Sequence, residues 1–235
     1  MKNIGIIGAM PSELKDIREL LGKSEIIKKS GFEFYVNTIG DKKIVHACCG
    51  IAKVNAAVCC QVMIDTFNIE AVINTGIAGG MNKNVKVCDI VVSNEVLPHD
   101  LDLHFLNDYP PYCAVYKSDE KLIKLAVDTC KNNNINSFIG RIVSGEAFIS
   151  SNEVKEDILK RLNPYAVDME SSAIGHCCFL NVTSLIFAAK ADVPFVSVRC
   201  ISDNADDDGA MSFDEFEKTA AKRVAEIVIE MIKKL

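Results

Sequence analysis

The sequence has no run of basic residues, and its formal net charge is -6. Nucleic acid and anionic membrane surfaces are therefore not expected partners. Hydrophobic residues make up 49% of the chain, yet no apolar stretch approaches the roughly 18 residues of a membrane span. The ten cysteines (Cys48, Cys49, Cys59, Cys60, Cys88, Cys113, Cys130, Cys177, Cys178 and Cys200) include no Cys-x-x-Cys pair, which argues against zinc and against a thioredoxin-type motif. His46, His99, His104 and His176 have no ligand spacing, so no metal is expected, and no cofactor. Met1-Lys2-Asn3-Ile4 runs straight into a strand-like segment ending at Gly8, unlike a signal peptide. The cysteines then read as reduced core thiols of a cytoplasmic protein. Gly5 and Gly8 lack the third glycine of a dinucleotide fingerprint, and no Walker loop or basic phosphate clamp occurs. No repeat, linker or low-complexity segment interrupts the 235 residues, a length that suits one α/β domain, 1–235.

What is present is a series of buried strands ending in functional groups. Pro194 to Asp203 reads as an apolar strand that carries Arg199 and finishes in Ser202-Asp203. Taken alone, Asp203 is the start of a polar loop. In open α/β sheets, however, ligands sit beyond the carboxyl ends of the strands, and other strand ends here carry chemistry too. Ile4 to Ile7 leads through Gly8-Ala9-Met10 to a helix with Pro11 in its first turn and Glu13 at its mouth, closed by Gly22. Phe32–Ile39 and Lys43–Cys49 form a hairpin about Gly40-Asp41, and a helix runs from Gly50-Ile51-Ala52-Lys53 to Phe67. Ala71–Thr75 is a strand opening into a flexible loop, Gly76 to Gly80.

Further on, Cys88–Ser93 reads as a strand and Glu95–Pro111 as irregular, the length of a lid or contact surface. A helix over Asp119–Lys131 precedes the strand Phe138–Val143, which ends in Ser144-Gly145-Glu146-Ala147-Phe148-Ile149. Ser150 with Glu153, and Ser212 with Glu215, are spaced as capping boxes for two helices. Between them Ala166–Glu170 is a short strand delivering an acidic pair, followed by a small-residue helix, Ser171–Cys178. Alternating strands and helices predict a three-layer α/β fold, a central mixed β-sheet flanked by helices. Glu13, the Gly76 loop, Phe148, Met169-Glu170 and Arg199 with Ser202-Asp203 describe a pocket for a neutral, partly aromatic, hydroxylated molecule. Carboxylates accept from sugar hydroxyls and base amino groups and repel phosphate.

Seven runs in this order carry a resemblance: Ile4–Met10, Asn74-Thr75-Gly76 with Ala78-Gly79-Gly80, Asp89–Ser93, Val143-Ser144-Gly145 with Ala147-Phe148-Ile149, Asp168-Met169-Glu170, Val198-Arg199 with Ile201-Ser202-Asp203, and Ser212–Phe216. Over nearly its whole length the chain resembles the 5'-methylthioadenosine/S-adenosylhomocysteine nucleosidases of the nucleoside phosphorylase superfamily. The resemblance implies that fold, a homodimer, and hydrolysis of the N-glycosidic bond of an adenine nucleoside carrying a 5'-thioether. It implies that Asp203, helped by Ser202, protonates adenine N7, and that Glu13 activates water beside Arg199. Glu170 would bind the ribose hydroxyls with Met169 on the sugar face. Phe148 would stack on adenine while the backbone of Ile149 reads its edge. Ala9, Met10, Ile51, Ile77, Ala78 and Gly79 would complete the substrate pocket, and Phe105, on a loop matching His99 to Tyr112, would reach the partner's thioether pocket.

Glu13 also bears on the nucleophile. A phosphorylase of this superfamily needs an anion-binding loop near the first strand, and here that loop carries a negative charge, which favours water over phosphate. Asp203 suits adenine, where a 6-oxopurine enzyme would tend to place an amide. There are departures: Pro11-Ser12 replace acidic residues, Ile77 takes the place of a Ser or Thr, and about ten residues, Thr183 to Asp192, look inserted. Two other readings stand beside the nucleosidase: a related purine nucleoside enzyme, such as a futalosine hydrolase or a purine nucleoside phosphorylase, and a non-catalytic nucleoside-binding protein.

Overall fold

The computed structural model describes residues 1–181 and 193–235. The expected insert, Thr183 to Asp192, lies outside the described residues. In chain order the elements are β1 (Asn3–Gly8), α1 (Pro11–Leu21), β2 (Glu25–Lys29), β3 (Phe32–Ile39), β4 (Lys42–Cys48), α2 (Lys53–Phe67), β5 (Ala71–Gly80), β6 (Ile90–Pro98), α3 (Leu103–Asp108), β7 (Tyr116–Lys117), α4 (Glu120–Asn132), β8 (Ser137–Ser144), α5 (Asn152–Leu162), β9 (Ala166–Asp168), α6 (Ser171–Leu180), β10 (Phe195–Asp203) and α7 (Gly209–Lys234).

One mixed sheet joins all the strands, and part of it closes on itself. β5 pairs with β10 in parallel, β10 with β6 antiparallel, β6 with β8 and β8 with β9 in parallel, and β9 returns to β5 antiparallel. From β5 the sheet extends outward through β1, β4, β3 and β2. Every residue of β5 and of β10 is buried, as central strands covered on both faces require. One face is covered by α1, α4 and α7, whose Leu14, Leu122, Val224 and Val228 pack on Ile73 and Val196. The other is covered by α2 and α6 through Cys60, Met63, Ile174 and Cys178. Each such fully buried aliphatic side chain contributes about 1.5–3 kcal/mol. The expected three-layer architecture is the one observed. All ten cysteines are free thiols.

Ring closure explains several differences from expectation. The Gly76–Gly80 segment is not a loop but the second half of β5. Arg199 to Asp203 pair with Gly76 to Gly79 on one side, and β9 pairs with Gly79 and Gly80 on the other. β6 continues past Ser93 to Pro98 because β8 pairs with it over that length, and α3 forms within the segment expected to be irregular. Among the described residues β2 pairs with β3 alone, at the sheet edge, and it is almost wholly exposed, so no buried face imposes an alternation to read. Neither expected capping box forms. α5 begins at Asn152 after Ser151, without a side-chain cap, and α7 begins at Gly209, a turn before Ser212. Asp119 does cap α4, accepting from the N–H groups of Lys121 and Leu122 at 3.0 Å each.

Candidate active site

Glu13 lies in the first turn of α1 behind Pro11, with its carboxylate folded back over the start of the helix. Its Oε2 accepts from the backbone N–H of Ala9 at 2.6 Å and of Met10 at 3.0 Å, and its Oε1 from that of Ile77 at 2.9 Å. Burial raises its pKa, while Arg199 and these three N–H groups oppose the rise. β5 can pass this close only because residue 76 is glycine. A Cβ there would stand 2.2 Å from Glu13 Oε1 and 2.4 Å from Arg199 Nη1, and φ is +149°.

The β5–β10 register sets Arg199 opposite Gly76, and so beside Glu13. Arg199 is wholly buried among three carboxylates. Its Nη1 is 3.7 Å from Glu13, and its Nη2 is 2.9 Å from Asp168 and 3.5 Å from Glu170. Nη2 also donates to Asn74 Oδ1 at 2.8 Å. Burial alone would lower the arginine pKa, but Asp168, Glu170 and Glu13 together raise it. Glu170, at the start of α6, accepts from the N–H of Ala52 at 3.0 Å. Burial lifts its pKa to about 7; Arg199 opposes the rise, and Asp168 and Glu13 add to it.

Asp203 ends β10, four residues and about 13 Å of strand beyond Arg199. Ser202 Oγ donates to its Oδ2 at 2.8 Å, and the N–H of Ala205 to its Oδ1 at 2.7 Å. Burial raises its pKa, and those two hydrogen bonds work against the rise. Gly79 lets the carboxyl lie against β5, since a Cβ there would meet Asp203 Oδ1 at 3.0 Å.

Glu13 and Asp203 line one cavity of about 190 Å³. Ala9, Met10, Ile51, Ile77, Ala78 and Gly79 form part of its wall, with Phe148, Met169, Glu170 and Ser202 completing it. The remaining sequence candidates lie elsewhere. Arg199 stands behind the wall, held by the carboxylates. Ile149 lines a smaller adjoining recess of about 30 Å³, with Asp203 and Phe148. Phe105 is 49% exposed on α3 and outside this chain's cavity. The wall also includes Phe213, Val167 and Asp168; of these the sequence reading singles out Asp168 alone, as half of the acidic pair. Phe213 meets Phe148 edge to face, with ring centroids 5.7 Å apart at 84°. The one signal for it was its place in the Ser212–Phe216 run; helical periodicity points instead to Phe216 and beyond.

The Glu170 environment makes a stability prediction. A carboxyl whose pKa is raised on folding is fully tolerated below its unfolded value near 4.5 and costs stability as pH climbs through about 7. Glu170→Gln is therefore expected to stabilise the protein by about 2 kcal/mol at pH 8, a Tm increase of roughly 4–8 °C. Most of that gain should vanish at pH 5. Thermal melts of both proteins at the two pH values check it, and an unchanged or lower Tm at pH 8 contradicts it.

Comparison with known proteins agrees with this geometry. The sequence profile of the Phosphorylase superfamily matches residues 3–233. A 5'-methylthioadenosine/S-adenosylhomocysteine nucleosidase of Oceanobacillus iheyensis is 35% identical, with 99% of each chain covered. The crystal structure of a nucleosidase of the same name from Neisseria meningitidis, in complex with methylthio-immucillin-A, superposes with a TM-score of 0.90 at 36% identity and full coverage of both chains. The native futalosine hydrolase of Helicobacter pylori superposes with a TM-score of 0.90 at 32% identity, covering 100% of this chain and 98% of that one. Two buried carboxyl groups on one cavity and a closed mixed sheet accord with the full-length similarity, which shows that this chain belongs to the phosphorylase superfamily, in the family of the 5'-methylthioadenosine/S-adenosylhomocysteine nucleosidases.

Proposed function

We propose that the protein is an N-glycosyl hydrolase that cleaves 5'-methylthioadenosine and S-adenosylhomocysteine to adenine and the corresponding thioribose. The observation that carries this reading is the convergence of Glu13 and Asp203 on one cavity walled by Phe148, Met169 and Glu170. Asp203 donates a proton to adenine N7. The C1'–N9 electron pair leaves with the base, and positive charge builds on the ribose as an oxocarbenium ion. Water attacks C1' and passes a proton to Glu13. Glu170 accepts from the ribose hydroxyls and Met169 covers the sugar face. Phe148 stacks on adenine, whose edge meets the Ile149 backbone. Among the described residues lining the cavity none is lysine or arginine, and the nearby Arg199 is held by carboxylates. Phosphate therefore has no free cation to meet, and water is the nucleophile.

The whole chain, 1–235, works as one domain, and in the cytoplasm; no helix among the described residues is long and apolar enough to cross a membrane. The same reading makes it a homodimer. α2 and α6 flank an apolar groove of about 600 Å³ lined by Val54, Val58, Leu101, Leu106 and Leu180, and Phe105 on α3 would project from one protomer toward its partner's cavity. Light scattering on the eluting protein gives the mass that tests this.

The decisive experiment is chromatography of products from 5'-methylthioadenosine, S-adenosylhomocysteine, futalosine and inosine, each with and without phosphate. Adenine release from the two thioethers, unchanged by phosphate, is expected. Hypoxanthine from futalosine alone would replace the reading with the futalosine hydrolase one, and phosphate-dependent turnover would make the protein a phosphorylase. The pH profile of kcat/KM should be bell-shaped. Activity falls at low pH as Glu13 takes up its proton, and at high pH as Asp203 loses its own. Since burial raises both groups, both limbs should lie above ordinary carboxylate values.

A further inference from the structure

Arg199 could neutralise any of three carboxylates, and it contacts them unequally. Its Nη2 is 2.9 Å from Asp168 but 3.5 Å from Glu170, and its Nη1 is 3.7 Å from Glu13. Asp168 is also the most heavily hydrogen-bonded carboxylate of the cluster. Its Oδ1 accepts from Ser144 Oγ at 2.6 Å and from the N–H groups of Glu170 at 3.2 Å and Ser171 at 3.1 Å. Its Oδ2 accepts from Ser171 Oγ as well as from Arg199. These bonds fix Asp168 to β8 and to the first turn of α6 at once. Arg199 Nη2 also donates to Asn74 Oδ1 at 2.8 Å, so the arginine head is held from β5 and β9 together.

We infer that Asp168 is a positioning residue that draws the Arg199 charge away from Glu13, leaving Glu13 basic enough to take a proton from the attacking water. This rests on the reading of Glu13 as the base. The physical reason is competition for one cation. An arginine closed on Glu13 at hydrogen-bond distance would stabilise the ionised carboxylate and weaken it as a base; at 3.7 Å the attraction is diluted. Asp168 also presses on Glu170 as a like charge, and its hydrogen bond to the Glu170 N–H sets where that side chain starts. The other titratable groups facing this cluster are Cys48 and Cys49 at the end of β4, His99 beyond β6, and Asp203 across the cavity.

The test is the acid limb of the kcat/KM profile for adenine release. Asp168→Asn keeps the shape and removes the charge. Arg199 then has only Glu13 and Glu170 to neutralise, so the limb should move down by about one pH unit. kcat at pH 7 should fall by roughly 10- to 100-fold, because a weaker base moves the proton less well, with KM within about threefold. Asp168→Glu, which keeps the charge, should leave the limb in place and retain more of kcat than Asp168→Asn does. If Asp168→Asn does not fold, Asn74→Asp applies the same logic in reverse: a second anion on Nη2 should move the limb up. A folded Asp168→Asn protein with an unmoved limb, or an unmoved limb in Asn74→Asp, overturns the inference. A wild-type limb that survives in Glu13→Gln sinks the base reading itself. A limb that vanishes in Glu13→Gln but stays put in Asp168→Asn sinks only the present one.

Discussion

Asp203→Asn is expected to lower kcat by about 10²- to 10⁴-fold, with KM changing far less. The substitution is close to isosteric, and the surroundings accept it. The amide oxygen can keep the hydrogen bond from the Ala205 N–H, now 2.7 Å, and Ser202 Oγ can turn toward Ala78 O, 3.4 Å away. What is lost is the transferable proton. In the wild type, burial keeps that proton on the carboxyl to higher pH than an exposed aspartate would hold it, and in the proposed mechanism it is the proton delivered to adenine N7. Without it the base departs as an anion, and the barrier rises by about 1.4 kcal/mol per tenfold loss. The alkaline limb of the pH profile should disappear with the carboxyl. Adenine release followed between pH 5 and 9 measures both effects; activity within threefold of wild type would remove Asp203 from the chemistry.

Glu13→Gln is the second large loss, again about 10²- to 10⁴-fold in kcat. Three backbone donors converge on the Glu13 carboxylate, from Ala9, Met10 and Ile77. A glutamine offers one acceptor oxygen and one NH₂, so at least one donor is left facing another donor, at a cost of about 1–3 kcal/mol. Against this, the variant no longer buries a charge whose ionisation is already disfavoured by desolvation. The two contributions oppose each other, so the melting temperature should change little and the activity loss can be assigned to the missing base. Because the amide cannot take a proton, the acid limb should vanish while the alkaline limb remains. Isothermal binding of a non-hydrolysable thioether nucleoside should show affinity within about tenfold of wild type. Full turnover in this variant would require another base.

Much of the molecule could be read locally. The α1 boundaries follow from Pro11 and Gly22, and the hairpin of β3 and β4 from Gly40-Asp41 between two apolar runs. β10 announces itself as an apolar strand ending in a serine and an acid. These signals act over a few residues through φ preferences and side-chain period, which a single chain displays directly. Gly76 to Gly80 misled for an equally physical reason. Glycine marks both a flexible turn and a strand crowded by its neighbours, and only the partners decide which. Here Glu13, Arg199 and Asp203 crowd β5, and Gly76 and Gly79 are what lets them approach.

From its residues alone, the chain determined which carboxyl groups stand at element ends: Glu13 at a helix mouth, Glu170 after a short strand, Asp203 closing a long one. The closed ring of β5, β10, β6, β8 and β9 decided that these ends meet at one cavity, and that Phe213 on α7 joins Phe148 there. It also decided that Asp168, not Glu13, holds Arg199 most closely. Strand register and ring closure depend on contacts between residues a hundred or more positions apart, such as Arg199 with Gly76 and Asn74. No local preference encodes such contacts; they follow only when the buried faces of the whole sheet are satisfied together.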